Sequence, residues 1–485
     1  MANNSIIEQS PLHSQLPVGQ DIIFVISNDL AVFNEVRVKF VAHVSVSGDS
    51  IPNANTTSDV IGTFKTTPNS AGVGIFNFRN ILENYTKPDN LAANGSSYKG
   101  TTTSDDRNHP IHLIDKYSLN NNSVRFFAIK FAVEYLGATD VSGNQDNNVV
   151  REQAGTEVLT PAIFTMFNGF LKFEDELEYG TGTSADNFGY DMSNFELGSN
   201  TKNLLTNAPT TLYANLEDYG TFAFLAWNTT IAAAIDEFLI TYYKTDGSTT
   251  TETIEKSTAN GAYPVTQGGW NYVCDKQLLY IGLYPANLQN HSTTFAALIT
   301  AGTIQGGYYT IVGRNAANAE TTKTYTINLN CSNLKGYESI RLCWLNQWGA
   351  WDYYTFTQKS TNTLSTTQST YTQLEGTWNA RTYKIDNHLG GKKTFRTNAT
   401  ERITMNTNYL NANENIFFQE LINSPEVYLL NGYQDKSESQ AVLNNYVIPV
   451  RLTTSTFTTK TIANDKLIQY TFEIEKSKTL RTQTV

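Results

Sequence analysis

Charge, cysteine and long apolar runs are all scarce in this sequence, and each shortage excludes a class of protein. Charged residues make up 16% of the 485 residues, against roughly a quarter in an ordinary globular chain. Acidic side chains outnumber basic ones, 45 to 34, for a net charge of −11. Nucleic-acid binding, nonspecific or specific, is not expected, because it needs a basic face to neutralise phosphates. Three cysteines (Cys274, Cys331, Cys343) with no C-x-x-C pair make a poor disulfide framework. They are expected to be reduced and buried, with a Cys331–Cys343 bridge across a hairpin at Lys335-Gly336 as the alternative. No apolar run approaches the roughly 20 residues that span a bilayer, so membrane insertion is not expected. The opening "MANNSIIEQSPLHSQLPVGQ" lacks a basic stretch followed by an apolar one. Maturation in a cytoplasm is therefore expected, and sequons such as Asn84-Tyr85-Thr86 carry little weight.

Catalytic signatures are missing too. There is no Walker A loop, H-E-x-x-H, G-x-S-x-G or EF-hand loop. His109 and His112, with Asp105 and Asp106 upstream, are the best metal candidates, but no fourth ligand stands at definite spacing. Glu174, Asp175, Glu176 and Glu178 invite a glycosidase or Ca²⁺ reading, yet neighbouring acids in a Gly-rich loop need no special role. No catalytic, cofactor or metal residue is assigned.

What the sequence has is alternation. In "EVRVKFVAHVSVS", Val36, Val38, Phe40, Ala42, Val44 and Val46 share one face, and Arg37, Lys39, His43 and Ser45 the other. A period of two marks a half-buried strand. "DIIFVISN", Val124–Tyr135, "LLYIGLY", "YYTIVG", "KTYTINLNC", "YESIRLCWLN", "PEVYLL", "YVIPVRLTT" and "KLIQYTFEIEKS" read as further strands. "FLITYYKTDGSTTTETIE" reads as a hairpin turning at Asp246-Gly247. Two short helices are expected: Phe78–Tyr85, capped by Asn77, and about 413–423, capped by Asn413 and stopped at Ser424-Pro425. The fold class is mainly β, with multidomain antiparallel β-sandwiches, long loops and one or two short helices. The expected layout is an N-terminal arm over 1–19, ordered only by a neighbouring subunit. A first sandwich over 20–172 follows, then an acidic, Gly-rich linker over 173–200. A second sandwich over 201–370 and a C-terminal β segment over 371–485 complete it.

Three of the six tryptophans fall within "CWLNQWGAWDYYTF". The stretch reads as strand, Gly turn, strand, with Trp344 and Phe356 facing a core. Trp348, at the turn, has no obvious core to enter. Trp348, Trp351 and Tyr353 are candidate interface residues, because aromatic side chains at loop tips anchor interfaces. For most of the stretch core packing is the first reading, interface the second and a sugar platform the third.

The same stretch resembles a pattern in virion structural proteins of tailed bacteriophages that infect Bacteroidetes, through Trp344, Asn346, Gly349, Asp352 and Phe356. "ELINSPEVYLL", with Ser424, Pro425, Val427, Tyr428 and Leu429, is similar to the helix-to-strand step that follows in those proteins. "KLIQYTFEIEKS", "FNFRNILENYT" and "LLTNAPTTLYANLEDYGTFAFL" look like other elements of such chains. The resemblance implies β-sandwich domains in a tail or neck assembly, with no catalytic residues to transfer. It also implies a homo-oligomeric ring in contact with other virion proteins, located in the virion and assembled in the host cytoplasm. A receptor- or carbohydrate-binding tail protein that contacts a host glycan is the rival. A capsid protein and a tail depolymerase rank lower.

Overall fold

The computed structural model describes residues 5–12, 15–47, 60–88, 117–119, 123–137, 150–153, 155–160, 164–171, 177–179, 188–190, 203–225, 235–255, 278–330, 337–431, 447–459, 468–478 and 480–481. It is mainly β and built of several antiparallel sheets, as the alternation implies. The chain divides into two compact units. The first is Met1–Asn330 with Leu345–Asp352 and Asp435–Ser437. The second is Cys331–Trp344, Tyr353–Gln434 and Glu438–Val485.

In the first unit, one sheet orders its strands Gln15–Pro17, Phe164–Phe167, Val124–Leu136, Lys39–Ser47 and Val60–Thr66. A three-stranded sheet of Ile6–Gln9, Ile23–Ser27 and Val73–Asn77 accompanies it. Phenylalanines fill the space between them. Phe24 packs edge-on to Phe164 at 5.5 Å and lies 5.6 Å from Phe131, while Phe76 stacks on Phe78 at 5.6 Å. Alternation puts these rings inside: Phe40, Ala42 and Val44 are buried, and Lys39 is exposed. Val36 is exposed instead, because Arg37 adopts φ +57° and turns the chain before the strand begins at Lys39.

The opening segment is no free arm. Residues 6–9 pair with Ile23–Ser27, and Gln15–Pro17 run parallel to Phe164–Phe167, with Leu16 and Val18 in the core. Two buried faces meet there, which the sparse periodicity of 1–19 does not signal.

A second group of sheets completes the first unit. Five strands run in the order Thr211–Ala214, Tyr325–Leu329, Tyr308–Asn315, Ile235–Tyr243 and Thr249–Glu255. Three more run Thr221–Leu225, Leu278–Gly282 and Tyr117–Leu119. The last lies in the first part of the chain, far in sequence from its partner strands. It joins a sheet formed otherwise by residues beyond 220, so the expected boundary near 173–200 does not separate compact units. The hairpin at Asp246-Gly247 forms with Gly247 at φ +83°, but Tyr243 pairs with Thr249, so the loop spans 244–248 rather than two residues.

Most of the second unit belongs to an eight-stranded sheet. Its main order is Trp351–Phe356, Ile340–Leu345, Val427–Leu430, Val447–Leu452, Thr471–Lys476, Gly391–Asn406 and Ser360–Gln373. The helix Asn415–Asn423 covers it, with Phe417 4.8 Å from Trp344 and Phe418 stacked on Phe472 at 5.8 Å. This is the helix expected at about 413–423. Its entry is capped two residues earlier than expected, by Asn411 and Glu414 in a reciprocal capping box. The other expected helix is Arg79–Leu82 plus a single 3₁₀ turn, and Asn77 Oδ1 accepts from the Arg79 amide at 3.1 Å.

More helix is present than the one or two segments expected. Asp29–Asn34, Pro285–His291 and Thr293–Thr300 are helical. The last two carried readable signals: Pro285 in the first turn, and Ser292, whose hydroxyl accepts from the Phe295 amide at 2.9 Å. Among the described residues, no helix is long and apolar enough to cross a membrane.

Phe131 touches rings from three other strands or turns, so its truncation leaves a large cavity. Phe131→Ala is expected to lower stability by about 3–5 kcal/mol, read as a reduced denaturant midpoint.

Candidate assembly surface

The tryptophan stretch folds inward. Trp344, Trp348 and Trp351 are among the most buried large side chains of the chain, and Tyr353 is 4% exposed. The expected placement of Trp348, Trp351 and Tyr353 on an interface is therefore corrected: they are core. Trp348 has 1% of its surface exposed. The turn that carries it is held by the side chain of Asn346. Its Oδ1 accepts from the amides of Trp348 (3.1 Å) and Ala350 (3.0 Å), and its Nδ2 donates to Leu205 O at 2.8 Å. Gly349 lies at φ +72°, and a Cβ there would stand 2.2 Å from Asn168 O. The Phe170 amide donates to Gln347 O at 2.7 Å, closing the turn from the other side. Tyr353 belongs to the second unit, where the Arg341 guanidinium lies 5.2 Å from its ring centre.

Asp352 is the one strongly perturbed acid in this knot. It is 4% exposed and accepts from Thr206 Oγ1 at 2.5 Å and Asn346 Nδ2 at 3.2 Å. Burial pushes its carboxyl up to about 7, although both donors favour the ionised form. Its neighbours are a hydroxyl and an amide, so the arrangement is a structural tie. Cys343 is a free, buried cysteine whose thiol burial pushes up in pKa. Cys274, Cys331, Asp105, Asp106, His109, His112, Glu174, Asp175 and Glu176 lie outside the described residues. Glu178 sits in the short strand Leu177–Tyr179.

Exposed aromatic side chains lie elsewhere, Phe33, Tyr213 and Tyr409 among them, and one group sits on a feature the periodicity did not reveal. Strands Ser360–Gln373 and Gly391–Asn406 pair along their full length as a two-stranded ribbon. At its root the ribbon is flanked by Thr471–Lys476, which pairs with Arg402–Asn406, and by Leu480–Arg481, which pairs with Asn398 and Ala399. Arg402 and Arg451 both reach Glu475 there, at 3.0 and 3.1 Å. Beyond Asn398 no third strand pairs with it among the described residues. The 14 residues of Ser360–Gln373 are exposed or half-buried throughout, and six are threonine. Threonine suits such a strand: its branched Cβ favours extended backbone, and its hydroxyl tolerates water on either face.

The ribbon ends in a smaller hairpin, Gly376–Trp378 paired with Tyr383–Ile385. Directly paired residues share a face, as do residues two apart. Trp378, Tyr383 and Ile385 therefore line one face, with Gly376 opposite Ile385. They are 67%, 51% and 66% exposed, and nearby Leu374 is 77% exposed. Gly376 cannot be replaced there, because a Cβ would lie 2.1 Å from Lys384 O. Basic side chains surround the patch. Residues 374–396 carry five Lys/Arg and two Asp/Glu, a net of +3, leaving −14 on the rest of the chain. The ribbon thus ends in an apolar patch flanked by positive charge.

No family model and no curated protein matches the chain. Solved structures with some likeness include a Salmonella α2-macroglobulin reacted with methylamine, at 7% identity and a TM-score of 0.16. That match covers 96% of this chain and 23% of the other. The native conformation of an E. coli α2-macroglobulin gives 7% identity and a TM-score of 0.16, covering 83% of this chain and 22% of that one. The chain thus spans less than a quarter of those proteins, and a likeness of that size supports no argument about fold or function.

Because Trp348 is core, Trp348→Ala is expected to cost about 3–5 kcal/mol of stability, read in a thermal melt. Asp352 has a folded pKa above its unfolded value, so its contribution is complete below about 4 and is lost as pH rises through about 7. The stability of the wild type relative to Asp352→Asn is therefore expected to fall by on the order of 2–4 kcal/mol between pH 4 and pH 8. Paired denaturation curves across that window measure it, and a constant difference would refute the buried neutral carboxyl.

Proposed function

We propose that this chain is a structural subunit of a tailed-phage virion, a tail, tail-hub or neck component. In this reading it assembles into a symmetric homo-oligomeric ring and anchors neighbouring virion proteins. The observation that carries the reading is the ribbon of Ser360–Gln373 and Gly391–Asn406, which exposes both faces and ends in an apolar patch. A two-stranded ribbon is at best marginally stable alone in water, so one this long is suited to burial against a partner. The motifs shared with Bacteroidetes-phage virion proteins support the same reading. So do the tryptophans of 344–351, which are buried in packing. No catalytic role is assigned to any residue.

A second reading has one observation in its favour. Trp378 and Tyr383 present rings on a common face beside Asn379 and Glu375, and such platforms bind sugars. This would make the chain a receptor-binding tail protein directed at a host glycan.

Purified full-length protein imaged by electron microscopy separates the two. A closed ring of uniform symmetry is the expected result. A monomer at all concentrations that is retained on a glycan surface would overturn the ring and favour the receptor reading.

A further inference from the structure

We infer that the tip of this ribbon docks on a second copy of the same chain, burying Trp378, Tyr383, Ile385 and Leu374 against the neighbour's acidic surface. The inference rests on the homo-oligomeric reading above and names the surface that would make it work.

Three observations lead there. First, the patch is unusual for its setting. The strand leading to it is threonine-rich, with Leu364 and Tyr371 as its large apolar side chains, whereas the tip gathers four, each more than half exposed. Apolar surface gathered at the end of a polar projection marks a contact site, because a polar surface leaves no other reason to concentrate it. Second, the side-chain types fit. Trp and Tyr with adjacent Arg381 and Lys384 match the composition of energetic centres in protein–protein contacts, apolar in the middle and charged at the rim. Third, charge selects the partner. The tip segment 374–396 is +3 and the remainder of the chain is −14, so another copy of this chain presents the complementary field.

The geometry also sets the kind of assembly. The ribbon is one patch and its acceptor is another, so each copy gives a tip and receives one. Such head-to-tail contacts close into a ring or continue as a helix. The tip has its own means of adjusting to a neighbour. Gly390 and Gly391 lie at φ +88° and +75° where the small hairpin rejoins the ribbon, and Phe395 is the extra residue of a β-bulge opposite Ser369-Thr370. Bulges and left-handed glycines re-aim a strand without breaking its pairing.

The test compares three full-length proteins by analytical ultracentrifugation at matched concentrations: wild type, Trp378→Ala/Ile385→Ser, and Lys384→Glu/Lys392→Glu/Lys393→Glu. None of these positions has left-handed backbone, Lys393 Nζ donates to His388 O at 2.8 Å, and thermal melts check that the folded units persist. Wild type is expected to assemble, and the apolar double variant to weaken assembly about 30-fold or more. The charge-reversal variant is expected to weaken it too, and added salt to weaken wild type in the same direction. Mixing isotope-labelled and unlabelled wild type and cross-linking through Lys384 is expected to yield mixed-label peptides that join the tip to an acidic segment of another copy. If wild type assembles and both variants assemble equally well, the ring reading survives and the docking inference fails. A wild type monomeric at every concentration, with Trp378→Ala/Ile385→Ser abolishing retention on glycans or anionic vesicles, overturns both.

Discussion

Ring-on-ring packing between sheets is the interaction on which the rest of this structure depends. A β-strand has two faces and must hide one of them, and this chain hides it with phenylalanine, tyrosine and tryptophan. Phe24, Phe76, Phe78, Phe131 and Phe164 meet between the first two sheets at centroid spacings of 5.5 to 6.3 Å. Tyr242, Phe295 and Tyr309 do the same beneath the helices at 285–300. In the second unit Trp344, Phe356, Phe417, Phe418 and Phe472 form the equivalent layer. Rings of this size bury much area for little side-chain entropy, which suits a chain with few charges and many long loops.

The hairpin turn around Trp348 extends that rule to a place where a turn is usually wet. The amides of Trp348 and Ala350 donate to Asn346 Oδ1, Gln347 O accepts from the Phe170 amide, and Leu205 O holds the Asn346 side chain in place, so the tryptophan can enter the interior without stranding these amides. Gly349 permits the close approach to Asn168. A neutral Asp352 fits the same dry setting, where an ionised carboxylate would cost more than its two donors return.

The ribbon at 360–406 is where the rule is suspended, and that gives it its functional interest. It has no face to hide along most of its length, so threonine replaces the rings. Apart from the Tyr371–Phe395 contact within the ribbon, rings return at the tip, where Trp378 and Tyr383 stay more than half exposed among the described residues. Proteins that keep such a surface keep it for contact. The edge of Ser360–Gln373, last in its sheet among the described residues, also offers backbone donors and acceptors to whatever lies alongside.

Strand content, the mainly β class and most individual strands were legible from period-two alternation, because a half-buried strand writes its inner face into the sequence. Lys39–Ser47, Val124–Leu136, Tyr308–Asn315 and Trp351–Phe356 all stand where alternation put them. The helix at 415–423 was legible from its i, i+4 apolar pairs and the proline that stops it. The ribbon strands were not, since a strand wet on both faces has no alternation to show. Nor was the joining of Tyr117–Leu119 to a distant sheet, or the pairing of residues 6–9 and 15–17, because pairing partners far apart in sequence leave no local trace. The same limit misplaced the exposed aromatics. The sequence determines that Trp348 sits on a glycine turn and that Trp378 sits in a polar stretch. Only the tertiary structure decides that residues 168–170, 205 and 206 close over the first turn and leave the second open, because burial depends on which remote segments arrive, and that is settled by packing across the whole chain.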